Sequence, residues 1–245
     1  MFRRFDKPAI AVSLIKMIVV AIVLPPLYTF GGFATAAHAK CHSSAAPNVD
    51  WQGCRKRNLI LKGSDLSGGN FVGTDFTATD LRDTKLTTAD LTKATMIRAY
   101  LDGTVAEGAN FSRLQGYRTS FVGAKLKNAS FVRAEMTRAD FTGADLTNVK
   151  FEKADLGRAV FKDASLTGAS FPFVNLSRAD FRTSRFTGPI DFTGTYLFLT
   201  RFEGVDLREA KGLEQWQFDL SCGDDKTQLP AGLVTPTSWP CPPTE

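Results

Sequence analysis

Histidine is nearly missing from this sequence: among 245 residues there are two, His38 and His42. The side chain that most often carries general acid–base catalysis or binds zinc near neutral pH is therefore absent from everything beyond position 42. Cysteine is almost as scarce, at four, and none lies between Cys54 and Cys222. No pair has C-x-x-C spacing, which with only two histidines argues against a zinc site. Long apolar runs are missing too. The run from Met17 to Leu24 is eight residues, or fifteen if Lys16 is allowed inside, short of the roughly 20 needed to span a bilayer. Excess charge is largely missing as well. The formal net charge of +5 includes four Lys and Arg against one acid in the first 39 residues, and residues 40–245 hold 26 bases against 24 acids, a net of +2. A charge-driven partner has to be argued from local pattern.

The basic start has its own explanation. Arg3, Arg4 and Lys7 precede the apolar run, Pro25 and Pro26 interrupt it, and Ala37-His38-Ala39 offers a small-x-small cleavage site. This order predicts a secretory signal peptide over 1–39, with Lys40 first in the mature chain. Phe5 directly after the Arg pair argues against twin-arginine export, and Cys41 lacks the preceding residues of a lipoprotein signal. Export to the periplasm or medium places Cys41, Cys54, Cys222 and Cys241 where disulfides persist. Locality favours Cys41 with Cys54 and Cys222 with Cys241 among three connectivities.

What the sequence does have is a period of five. Apolar residues recur at Leu61, Leu66, Phe71, Phe76 and so on without a break to Phe181 and Phe186, and only Ala106 and Gly116 in this register are small. Two residues before each sits Ala, Thr or another small side chain, with Asp, Asn or Ser often between. A helix of 3.6 residues per turn would scatter this pattern around its circumference, and strand alternation cannot hold it either. Units such as Ala139-Asp140-Phe141-Thr142-Gly143 and Ala144-Asp145-Leu146-Thr147-Asn148 resemble the pentapeptide-repeat family, over roughly 150 residues. The resemblance implies an all-β solenoid, a right-handed quadrilateral β-helix with four repeats per coil, the central Leu or Phe and the small residue pointing inward. From Phe121 to Phe181 the centres alternate Phe with Leu or Met. That alternation stacks like on like only if a coil holds an even number of repeats, and with four sides it puts Phe on two opposite walls.

The expected organisation is a signal peptide (1–39), an N-terminal cap segment (40–58), the β-helix (59–210), and a short helical C-terminal cap with a Pro-rich tail (211–245). The register slips by one residue at Gly188-Pro189, predicting a bulge or the start of a final coil. The predicted cap helix puts Leu213, Trp216 and Leu220 on one face. Asn48 to Cys54 is the expected cap at the other end, since open solenoid ends invite end-to-end oligomers.

Folded in twenties, the sequence places Arg98, Arg118, Arg138, Arg158 and Arg178 in one outward column and Lys93, Arg113, Arg133 and Lys153 in the next. The equivalent positions on the other walls are mainly Gly and Asn. One reading is a binding face for an anionic envelope polymer or an acidic protein. The plainer reading is that long basic side chains cover the corners and pair with Glu135, Asp140, Glu152, Asp155 and Asp180. Nucleic acid is disfavoured by export and by the expectation that, Phe173 apart, no aromatic residue interleaves with these columns. Membrane contact is expected only through the signal segment before cleavage. No catalytic residue, cofactor or metal is expected, because the many Asp residues are periodic and suit turn hydrogen bonds. The family resemblance also implies an alternative, mimicry of DNA toward topoisomerases, which calls for a strongly acidic surface. An inert spacer is a third reading.

Overall fold

The structure, a computed structural model, describes residues 41–242. The expected signal segment and its cleavage site lie outside the described residues. The chain winds as a β-solenoid in which residues twenty apart pair by single parallel bridges: Asp80 with Tyr100, Tyr100 with Ser120, Ser120 with Asp140, Asp140 with Val160. A tight turn every five residues keeps each strand to one bridging residue, so four short rungs take the place of long strands in each coil.

The repeat Ala144–Asn148 shows why five residues suffice. The Ala144 N–H donates to the Phe141 carbonyl across the turn (3.0 Å), Asp145 to Ala124 in the coil before (2.9 Å), and Leu146 and Asn148 to Ser165 and Thr167 in the coil after (both 2.8 Å). The fifth amide, on Thr147, has no carbonyl in reach and donates to Asp145 Oδ1 (3.0 Å). Each backbone donor of the unit is thereby satisfied, as a buried backbone requires. The Asp before the central residue is thus a turn element. Its counterparts Asp65, Asp75, Asp80, Asp90, Asp140, Asp155 and Asp180 each accept from the N–H two residues on.

The interior is a pair of phenylalanine stacks. Phe111, Phe131, Phe151, Phe171 and Phe192 lie parallel with centroids 4.7 to 5.4 Å apart. Phe121, Phe141, Phe161, Phe181 and Phe202 form the second stack at 4.6 to 5.3 Å, and the two meet edge to face, as between Phe141 and Phe151 at 5.8 Å. Leu and Met centres fill the other two walls. Where the small position is Thr, its buried hydroxyl donates to a carbonyl, in most cases of the previous coil, as with Thr74 to Trp51 (2.6 Å) and Thr119 to Met96 (2.7 Å), and for Thr84 to Leu81 of its own coil (2.7 Å). At Gly116 the missing side chain is replaced from next door. Leu114 occupies the small position of that repeat, and its Cδ2 stands 3.3 Å from where a Gly116 Cβ would be.

The slip at Gly188 is a one-residue bulge. Ser165 pairs with Arg185 twenty residues on, but Ser170 pairs with Asp191, twenty-one on. The wall parts there into a cleft of about 470 Å³ lined by Phe186, Ile190, Asp206 and Arg208 among others. Bridging resumes on neighbouring walls up to Asp206 with Gln228.

The only helix among the described residues, α1 (Gln215–Asp219), corrects the sequence expectation. Its buried residues are Gln217 and Phe218, while Trp216 and Leu220 are exposed. One turn and a half is too short to express the 3–4 spacing from Leu213 to Leu220. What sets its facing is Gln217, whose Nε2 donates to the Thr195 carbonyl (2.8 Å), and Phe218, whose ring lies 6.4 Å from Phe202. Trp239 packs on Phe218 (6.2 Å) beside the Cys222–Cys241 disulfide. At the other end the Cys41–Cys54 disulfide joins the segment before the first coil to it, with Lys56 Nζ bonded to the Cys41 carbonyl (2.7 Å) and 3.7 Å from the centre of the Trp51 ring. Asp50 to Cys54 is part of the first coil, bridged through Asp50 to Asn70, so the residues crossing that end are those before Asn48.

Candidate functional site

Each repeat ends in a residue of positive φ, where the chain turns the corner. Left-handed backbone is free of strain for Gly and tolerable for Asn, and costs other residues on the order of 1 kcal/mol each. Two of the four corners follow this logic in part, with Gly103, Gly123 and Gly143 between Asp83, Asp163 and Thr183 in one column and Gly108, Asn128, Asn148 and Gly168 after Thr88 in the other. The other two do not. Arg98, Arg118, Arg138, Arg158 and Arg178 hold φ between 55° and 63°, and Lys93, Arg113, Arg133 and Lys153 between 58° and 59°. Nine strained corners on two edges of one wall form the sharpest departure from the economy of the repeat.

Backbone bonds fix the stacking of both columns. The Arg98 N–H donates to Tyr117, Arg118 to Thr137, Arg138 to Gly157, Arg158 to Ser177 and Arg178 to Phe198, each 2.7 to 3.1 Å. Lys93, Arg113, Arg133 and Lys153 follow the same rule toward Ser112, Val132, Glu152 and Pro172. The two edges flank a wall whose middle column is Thr95, Gln115, Glu135, Asp155 and Asn175. Arg138 is half-buried and the other eight cations are exposed.

Three of the five acids expected to neutralise these columns are engaged elsewhere. Asp180 holds Arg182 (2.6 Å) and Lys162 (3.4 Å), and Asp140 takes the Thr142 amide and hydroxyl. Asp155 accepts from the Gly157 amide and the Asn175 amide group. Among the described residues Lys153 with Glu152 (3.1 Å) is the one ion pair made by the nine. Over residues 92–98 and their equivalents up to 172–178, nine cations meet three carboxylates (Glu135, Glu152, Asp155), a net of +6. The opposite wall, from 102–108 to 182–188, has five cations against four carboxylates, a net of +1.

Besides Phe173, the wall carries aromatic rings that the sequence expectation missed. Tyr117 stands beside Arg118, whose guanidinium lies 5.3 Å from the ring centre. Beyond the bulge, Tyr196 bridges Asn175, Phe198 accepts from the Arg178 amide, and the Phe173 ring covers Gly194. Folding in strict twenties misplaces Tyr196 and Phe198 by one residue, and restoring the one-residue slip at Gly188 puts Tyr196 in the column of Asn175 and Phe198 in that of Tyr117. Tyr117 was visible all along as the neighbour of Arg118.

Pentapeptide repeats, as a family, match in eight copies over residues 61–92, 94–131, 119–158 and 144–182. Among solved structures, HetL, a pentapeptide repeat protein involved in heterocyst differentiation regulation from the cyanobacterium Nostoc sp. Strain PCC 7120, is 24% identical over 75% of this chain and 84% of its own, with a TM-score of 0.33. A trypsin-treated variant of QnrB1, a plasmid-mediated fluoroquinolone resistance protein, is 19% identical over 76% of this chain and 87% of its own, at 0.46. A pentapeptide repeat protein from the Arabidopsis thaliana thylakoid lumen is 25% identical over 58% and 70%, at 0.15. No curated protein sequence matches.

Proposed function

We propose that this chain, which belongs to the pentapeptide-repeat family, is a non-catalytic binding rod whose basic wall takes up an anionic polymer outside the cytoplasm. The observation that carries this reading is the pair of strained corner columns. A corner is least strained with Gly or Asn, and although single Asp, Thr and Ala residues also occupy corners, only on this wall do two successive columns hold nine Arg and Lys at positive φ, with one ion pair among them. Residues kept in sparsely populated backbone regions point toward function when no local contact rewards them. Cations stacked about 4.8 Å apart per coil repel one another, and a polyanion laid along the wall relieves that repulsion.

Two disulfides in an otherwise cysteine-free chain support the extracytoplasmic setting, since such bonds persist in oxidising compartments. Segment 41–47 and α1 act as the caps of the rod, with Trp51 and Phe218 closing the two ends of the core. An acidic protein is the second class of partner that a wall of net +6 admits. Mimicry of DNA is disfavoured because it requires carboxylates where this wall carries cations.

The test is to replace Arg118, Arg138 and Arg158 together by Gly and follow retention on immobilised polyphosphate across salt. Relief of corner strain and the extra unfolded-state freedom of Gly are both about 1 kcal/mol per site and oppose one another, so thermal stability should hardly move. Retention should fall and lose much of its salt dependence. Unchanged retention, or a large loss of stability in place of binding, would sink the proposal.

A further inference from the structure

Charge alone attracts any polyanion, and the aromatic rings on the same wall narrow the class. Phe173, Tyr196 and Phe198 are 59%, 46% and 38% exposed, which is unusual for large apolar side chains with a buried core close by. The Tyr196 and Phe198 rings are nearly parallel, 12° apart with centroids at 6.3 Å, so they present a common platform. Lys153 Nζ stands 6.0 Å from the centre of the Phe173 ring, and Arg178 lies one coil below Leu199, which continues its column beyond the bulge. Tyr117 sits on the same wall four coils earlier, about 19 Å away at about 4.8 Å per coil, with Arg118 against its ring. Next to it a hollow of about 390 Å³ opens between Ile97, Gln115, Glu135 and Asp155.

Resting on the basic-wall reading, we propose that the polymer is an acidic glycan, a chain of sugars carrying carboxylates or phosphates. A pyranose ring has a face of C–H groups that lies flat on an aromatic ring, while its hydroxyl and acidic groups project from the edge toward flanking donors. The wall provides that combination, with Tyr196 in its middle column, Phe198 and Tyr117 beside one edge, Phe173 on the other, and Arg178 and Lys153 as the edge cations nearest the platform, whose own corners are Gly194 and Leu199. Polyphosphate has charge but no apolar face, so it leaves the rings uncovered. Single-stranded nucleic acid also stacks on aromatics, but its binders supply rings in succession, base after base, whereas here the platforms are four coils apart. The two disulfides further favour a polymer of the cell exterior over a polynucleotide. The hydroxyl groups of such a polymer find polar partners in the middle column, where Gln115 and Asn175 flank Glu135 and Asp155.

The experiment measures binding of the full chain to polygalacturonate, to polyphosphate and to an oligothymidylate, for the native sequence and for Tyr196→Ala/Phe198→Ala. The expected result is at least about tenfold weaker binding to polygalacturonate in the variant, with polyphosphate binding unchanged. Tyr196→Leu/Phe198→Leu keeps apolar cover and serves if the alanine pair proves poorly folded; it should show the same selective loss. Equal loss toward both polyanions, or none toward polygalacturonate, overturns the glycan assignment. So does native binding to polyphosphate without binding to polygalacturonate, which leaves the basic wall standing. Tighter, ring-dependent binding of the oligothymidylate overturns it in favour of nucleic acid. Binding to none of the three overturns the basic-wall reading itself.

Discussion

At the residue scale, the aspartates of the repeat hold turns, and some are strengthened by an arginine two residues on. The Arg82 guanidinium grips Asp80 through both oxygens, at 2.9 and 2.6 Å, and its hydrogen bond holds the Asp80 carboxyl at about 2 against an ordinary 3.8. Asp180 repeats the arrangement five coils later. There burial pushes the carboxyl up, and the hydrogen bonds from Arg182 outweigh it, leaving it below the ordinary value. A carboxyl held lower in the folded chain than in the unfolded one stabilises the fold above the unfolded value. That contribution is lost as pH falls from about 4 through about 2. Asp80→Asn should therefore lower the melting temperature slightly at pH 6 and flatten its fall between pH 4 and 2. Acid melting curves that superimpose for the two proteins would show that the Arg82 grip contributes nothing. The Arg82 side chain is exposed and Asp80 only partly buried, so the effect should be small.

At the scale of the repeat element, packing in columns makes the cost of a cavity larger than for a lone side chain. Phe151 lies between Phe131 and Phe171 at 5.3 and 4.9 Å and meets Phe141 and Phe161 edge on. Phe151→Ala removes a ring from all four contacts and should destabilise by about 3–5 kcal/mol, whereas Phe151→Leu, nearer in volume, should cost under about 2. Denaturant midpoints at constant slope would measure both. A loss well below 1 kcal/mol for the alanine variant would contradict the inward register. This register was legible in the sequence because a five-residue spacing fits neither helix nor strand, and the alternation of Phe with Leu required an even number of repeats per coil. Where one residue stands in for another the sequence was opaque. Gly116 reads as a void, yet Leu114, at a position reserved for small residues, fills it. The helix α1 falls within the expected stretch but is turned otherwise, because the hydrophobic spacing counted Trp216 and Leu220 as core, while a contact that orients it is the polar bond from Gln217 to the Thr195 carbonyl.

At the scale of the described unit, the solenoid is quasi-one-dimensional: each coil touches its neighbours and little else, so a defect at one end propagates weakly to the other. The same geometry explains why the wall could be read only in part. Columns of Arg and Lys survive in strict steps of twenty up to Arg178, and a single inserted residue near Gly188 shifts Tyr196 and Phe198 by one column, so that a count of twenties puts Tyr196 among the inward centres. It also bears on how the ends are closed. The last phenylalanine of one stack, Phe202, is covered by Phe218, which is in turn covered by Trp239 and held in place by the Cys222–Cys241 disulfide. Phe218→Ala should uncover that end. Amides of the last coils, such as those of Phe192 and Thr200, should then exchange with solvent at least about tenfold faster, while those of Phe121 to Phe151 keep the native rate, because free energy lost at an end is not shared along the array. The exposed end offers unpaired edges to a second copy, so sedimentation should reveal association that rises with concentration. Uniform acceleration of exchange along the whole chain would mean that the unit unfolds as one cooperative block, and unchanged exchange at Phe192 would mean that Phe218 is not what closes the rod.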